Sequence, residues 1–151
     1  MTEAIRSLTN LNRVVEYLKP HLAKHGFDYQ QGSTDYASAG EFANGFFVSG
    51  KIKIGLIFRG DRFGSVNYHG TKTNISHNKF FKALGKESEQ LLLYHDTDPW
   101  TSFSHSANKE SAENALLADL ENTILPYLEK TSLEDINLMI NKARKKYMWK
   151  R

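Results

Sequence analysis

The alternation in Lys51-Ile52-Lys53-Ile54-Gly55-Leu56-Ile57-Phe58-Arg59 constrains the fold of this chain most strongly. In an extended backbone Ile52, Ile54, Leu56 and Phe58 fall on one side and Lys51, Lys53 and Arg59 on the other, the two-residue period of a strand with one buried and one wet face. Segments of the same character occupy 27–31, 41–48 and 62–69. Ser49-Gly50 and Gly60-Asp61 leave no room for a crossover between them, so tight hairpins are predicted, with glycine supplying a positive φ. The result is a four-stranded antiparallel meander, to which 90–94 is a candidate fifth strand. Asn44-Gly45 is read as a bulge or bend within the second strand. The Gly-, Ser- and Ala-rich stretch 32–40 is read as an exposed loop.

Helical periodicity flanks this sheet. Ile5, Leu8, Leu11, Val15, Leu18 and Leu22 recur at three- and four-residue spacing and predict a helix over 4–25, stopped by Gly26 and kinked or broken at Pro20. A short helix over 76–84 carries Phe80, Phe81 and Leu84 and closes at Gly85. Leu116, Leu117, Leu120, Ile124 and Leu128 mark a helix within 106–130, with Pro126 as a second kink. Thr131 and Ser132 followed by Glu134 and Asp135 form an N-cap signature for a last helix carrying Leu133, Ile136, Ile140 and Ala143. A helix, a meander and then helices give an α+β domain whose helices cover one face of the sheet. At 151 residues the chain suits a single such domain, taken as 1–141, with 142–151 as a basic tail continuing the last helix.

Charge sharpens that division. The net charge is +3, but of the 20 Lys and Arg residues six lie in 142–151, where there is no acid, so 1–141 holds 14 against 17 acidic residues. The tail is therefore the place to look for cationic function, not the body. The absence of cysteine excludes disulfides, thiolate metal sites and cysteine nucleophiles, and a cytoplasmic setting is expected. No signal-peptide pattern or membrane-spanning run of about 20 apolar residues is present. With 40% hydrophobic and 25% charged residues, the composition is that of a folded domain and not of a disordered chain.

Catalytic signatures are sparse. No G-x-S-x-G elbow or phosphate-cradling glycine loop appears, and neither a cofactor nor a metal site is expected. His21 and His25 have the i, i+4 spacing of a helical metal pair, but Leu22 stands where an H-E-x-x-H motif needs glutamate, and two imidazoles near a helix C-terminus also suit its dipole. The loop from His95 to His105, with Asp96, Asp98, Ser102 and Ser104, is the densest group of reactive side chains and the basis for an alternative reading as a small hydrolase or nuclease. Ser, His and Asp are equally common in loops for their backbone hydrogen bonds. Lys142, Arg144, Lys145, Lys146 and Trp149 support a second alternative, nucleic-acid binding by the tail. Phe46 and Phe47 are adjacent and must face opposite ways, so one of them is expected outside the main core.

The run Leu18-Lys19-Pro20-His21-Leu22-Ala23-Lys24-His25-Gly26-Phe27, the strand Phe63-Gly64-Ser65-Val66-Asn67-Tyr68-His69, Ser76-His77 with Ala83-Leu84-Gly85, and Asp119-Leu120-Glu121 through Ile124-Leu125-Pro126-Tyr127-Leu128 together resemble small bacterial α+β proteins of unknown function. Some similar proteins are immunity proteins of toxin systems. The resemblance implies a fold and a mode of action, occlusion of a protein partner, and brings no catalytic motif. The basic tail departs from the acidic surfaces by which immunity proteins against nucleases mimic nucleic acid. The leading expectation is thus a non-enzymatic protein that binds a protein partner such as a toxin domain. Its candidate anchors are Arg59, Asp61, Arg62, Tyr68 and Trp100.

Overall fold

A computed structural model describes residues 3–37, 40–59, 62–95, 102–103 and 112–147. The first helix, α1 (Glu3–Ala23), passes through Pro20 without interruption and ends where Gly26 takes a φ of 83°. Its Leu11, Val14, Leu18 and Leu22 are fully buried, as the stripe requires.

The sheet then forms in chain order: β1 (Asp28–Ala37), β2 (Gly40–Val48), β3 (Lys53–Arg59), β4 (Arg62–His69) and β5 (Asn74–Ser76), each antiparallel to its neighbour. The α+β meander expected from the sequence is therefore present, with differences in detail. The fifth strand is Asn74–Ser76 and not 90–94, of which Tyr94 alone enters a strand. That strand, β6 (Tyr94–His95), pairs with β7 (Ser102–Phe103) in a separate ribbon. The stretch 32–40 is not a loop in its described part, because β1 runs to Ala37 and β2 starts at Gly40. Its glycine and serine serve a bulge instead: Gln31 pairs with Gly45 and Thr34 with Ala43, so Gly32 and Ser33 oppose Asn44 alone. The Asn44 side-chain oxygen accepts from the Ser33 N–H at 2.6 Å. The irregularity expected in β2 is thus displaced into β1, while β2 itself pairs unbroken with β3 through Asn44 and Gly45.

The link between β2 and β3 also differs from a two-residue turn. Strand β3 begins at Lys53, and Gly50 is not among the described glycines of positive φ. The Ser49 hydroxyl organises the turn, accepting from the N–H groups of Lys51 and Ile52 at 3.2 and 3.3 Å and donating to the Ile52 carbonyl. Gly60 and Asp61 lie outside the described residues, but Arg59 pairs with Arg62 across them.

Helix α2 (His77–Ala83) is capped by Ser76, whose hydroxyl accepts from the Lys79 N–H, and is stopped by Gly85 at φ 70°. After a 3₁₀ turn at Glu87–Glu89, the expected helix ending at Lys130 is present in three contiguous parts: α3 (Ala112–Asp119), a π-helical turn at Leu120–Ile124 and α4 (Leu125–Lys130). In place of a sharp kink at Pro126, the Leu125 N–H reaches the Leu120 carbonyl in the wider π pattern just before a residue with no N–H to donate. The last helix, α5 (Leu133–Tyr147), is capped by the Ser132 hydroxyl and enters the basic tail without a break. Ile136, Ile140 and Ala143 are buried, whereas Leu133, in the first turn, is exposed.

The helices lie on one side of the sheet. Leu11 and Leu18 of α1, Phe80 and Phe81 of α2, Leu116 and Leu120 share one cluster with Phe47, Ile54, Leu56, Val66, Tyr68 and Ile75 of the strands. Three cross-helix contacts, Arg13 to Glu113 at 2.8 Å, His21 to Glu121 at 3.7 Å and His25 to Glu129 at 2.9 Å, ascend together in both chain segments. Helix α1 therefore runs parallel to the α3–α4 helix. The Lys51 ammonium donates to the carbonyls of Leu128 at 2.7 Å and Thr131 at 2.9 Å, tying the β2–β3 turn to the end of α4.

Candidate binding face and a buried polar relay

Two groups of polar and aromatic side chains stand out, one on each face of the sheet. On the helix-covered face the Tyr68 hydroxyl lies 2.7 Å from His77 Nδ1, and His77 Nε2 lies 2.8 Å from Asp119 Oδ2. The carboxylate also accepts the N–H of Leu91 at 2.8 Å and of Leu92 at 2.9 Å. With the carboxylate as acceptor, Nε2 carries the proton and Nδ1 accepts the Tyr68 O–H, an arrangement that pairs both ring nitrogens of His77. Tyr68 and His77 are 0% exposed and Asp119 is 1% exposed. The residue types are those of acid–base catalysis, and all three side chains are closed off from solvent. Three polar side chains from β4, α2 and α3 fasten one another and the 91–92 backbone inside an apolar cluster, where an unsatisfied partner is costly.

This placement corrects one expectation. Tyr68, a candidate partner anchor, is buried against Phe80, with ring centroids 4.6 Å apart, and offers nothing to a partner. Sequence reasoning missed His77 and Asp119. The signal was there: His77 shares an i, i+3, i+4 stripe with Phe80 and Phe81, and Asp119 lies between Leu117 and Leu120, so each is a polar residue at an apolar position.

The opposite face carries Phe42, Asn44, Phe46 and Val48 of β2, Lys53, Gly55, Ile57 and Arg59 of β3, and Ser65, Asn67 and His69 of β4. All are half-buried except the glycine, which is buried. None of these residues of the three central strands is a carboxylate; in the edge strand β1, Asp28 pairs with Val48 and shares its face. Phe46 sits at their centre, its ring edge-on to the His69 imidazole at 5.8 Å and beneath the Lys53 ammonium at 4.3 Å. Gly55 makes room for this: a Cβ there would meet His69 Nε2 at 3.1 Å and the Phe46 ring at 3.2 Å. Burial, and then the Lys53 charge, lower the His69 pKa. Arg59 lies 5.9 Å from the Phe42 ring, and its Nη1 is buried with no hydrogen-bond partner among the described residues. Phe46 is therefore the member of the Phe46-Phe47 pair outside the main core.

Of the other expected anchors, Arg59 lies on this face, Arg62 pairs with it through the backbone, and Asp61 and Trp100 lie outside the described residues. The reactive loop from His95 to His105 falls mostly outside them as well. His21 and His25 do not converge: each faces its own glutamate on the neighbouring helix, and among the described residues no group of three or more metal-ligating side chains assembles. A hollow of ≈240 Å³ lies between His25, Lys51 and Glu129, but its polar groups already bind one another or the end of α4. In the tail, Lys142, Lys145 and Lys146 are exposed on α5, and Arg144 is half-buried and donates to the Asn74 carbonyl at 3.3 Å. Trp149 lies outside the described residues.

Among the described residues no helix is long and apolar enough to cross a membrane. Comparison with known protein families, curated proteins and solved structures finds no match.

Proposed function

We propose that this chain is a non-enzymatic binding protein that acts by covering a protein partner, with the face of the sheet opposite the helices as its contact surface. The observation that carries the reading is the cluster of Phe42, Phe46, Lys53, Arg59 and His69 on that face. Aromatic and Arg anchors are the residues that dominate binding energy in protein interfaces, and a preformed, strand-borne surface loses little entropy when it docks. The central strands of the face contribute Lys53 and Arg59 and no carboxylate, with Asp28 out at the β1 edge opposite Val48, so the partner that the centre of the face fits presents an acidic patch. An immunity-type role, in which such a patch belongs to a toxin domain whose working surface is blocked, is the specific form of this proposal.

The test is a pull-down from the native host with tagged wild type and with the double substitution K53E/R59E, after nuclease treatment and with a folding check by circular dichroism. A stoichiometric protein partner retained by wild type and lost by the folded variant supports the reading. Equal capture by both discards this face. Nuclease-sensitive capture that disappears when 142–151 are deleted moves the function to the basic tail, with the steep salt dependence that counterion release imposes.

A further inference from the structure

Helix α5 carries a second surface, independent of the sheet face. Glu134, Leu138 and Lys142 are spaced i, i+4, i+8 and form one ridge along its exposed side, with all three side chains exposed. Leu138 is 65% exposed, the largest value among the exposed large hydrophobic residues. Beside the ridge lies a groove of ≈410 Å³ lined by Ala83 of α2 and by Leu138, Met139, Lys142, Ala143 and Lys146 of α5. An acidic start and a basic end suit the dipole of α5 itself. That accounts for the charges but not for a bare leucine midway between them.

We propose that α5 is a self-association surface on which a second copy of this chain docks antiparallel, its two-fold axis passing beside Leu138. The ridge is its own complement under that symmetry. Turning it end over end about Leu138 sets Glu134 of one copy against Lys142 of the other, twice, and brings the two Leu138 side chains together over the grooves. In an isologous interface every contact made by one residue is returned by its equivalent, so the ridge must read acid, apolar, base from one end to the other, and this one does. Ridges of i, i+4 spacing are also those that interlock in the commonest helix crossing. A uniformly anionic occupant is disfavoured, because Glu134 and Asp135 stand on the same exposed side as the lysines. One helix and its groove form less than a standard interface of about 1,600 Å², so the dimer is weak and in exchange with monomer.

Sedimentation equilibrium of the full chain across a concentration series tests this. Wild type is expected to show a monomer–dimer equilibrium and Leu138→Asp to remain monomeric. Glu134→Lys and Lys142→Glu are each expected to weaken association by about tenfold, since each turns two attractions into two repulsions. The double variant E134K/K142E restores the opposite-charge pairing and is expected to return to within about twofold of wild type. A chain that stays monomeric at every concentration overturns the proposal, and so does a double variant no better than the singles. All these positions are exposed and none lies on the sheet face, so the partner pull-down is unaffected by either result.

Discussion

Phe46 and Phe47 are consecutive residues of β2, and the pleat sends them to opposite faces. Phe47 is 1% exposed and packs with Tyr29, Ile54 and the helices, whereas Phe46 is half-buried between a lysine and a histidine. A similar contrast separates the buried relay from the cations of the other face. Around the buried relay, each of the atoms joining Tyr68, His77 and Asp119 has a partner, and the arrangement is closed. On the other face Lys53 and Arg59 lie over aromatic rings and His69 meets one edge-on, with cation–π contacts and partial burial and, among the described residues, no ion pair. A closed network fixes a fold. Cations resting on aromatic rings retain their charge for a partner, because a ring satisfies them only in part.

Removing Asp119 is the strongest way to break this contrast. Asp119→Ala leaves His77 Nε2–H and the Leu91 and Leu92 N–H groups without an acceptor in a buried site, and is expected to cost roughly 3–5 kcal/mol by denaturant unfolding. If the variant instead unfolds within about 1 kcal/mol of wild type, the relay is not the fastening that holds 91–92 to α3.

The two phenylalanines sharpen the comparison at smaller amplitude. Phe47→Ala opens a cavity in the shared cluster and is expected to lower stability by roughly 3 kcal/mol, with partner capture unchanged so long as the protein is folded. Phe46→Ala gives up half-buried surface and is expected to cost only about 1 kcal/mol while weakening partner capture. Equal stability losses in the two variants would mean that the outer face is covered as well as the inner one.

Much of this architecture was legible because its rules are local. Alternation at 51–59 marked the central strand, serines 76 and 132 marked helix starts, and Gly26 and Gly85 marked helix ends, all from neighbours a few residues apart. The bulge at Gly32-Ser33 was placed one strand too far, because its cause is the Asn44 side chain across a pairing that no local pattern contains. The relay was harder still: Tyr68, His77 and Asp119 meet only after α3 docks against α2, 42 residues away from His77 in sequence. On the candidate face the sequence pointed to Arg59 from its hairpin and to one member of the phenylalanine pair. It also pointed to Tyr68, whose position in β4 puts it on the same side as Val66 and therefore inside.

His69 offers the finest distinction between the faces, because it is an imidazole at the rim of the open one. Its pKa is held below the ordinary 6.5 by partial burial and then by the Lys53 charge. The unfolded chain therefore binds more protons at this site than the folded one between the two pKa values. The contribution of His69 to stability is whole above about pH 6.5, declines as pH falls from there to the folded pKa, and changes no further below it. An NMR titration of the imidazole should give a midpoint below 6.5, and Lys53→Met should move that midpoint upward without abolishing the shift, since burial is the larger cause. An acidic partner on this face stabilises the imidazolium, so in its complex the midpoint should rise, and by linkage binding should strengthen as pH is lowered through that range. A midpoint that rises with Lys53→Met but stays fixed in the complex would place the partner elsewhere on the molecule while leaving the electrostatics of the face as described.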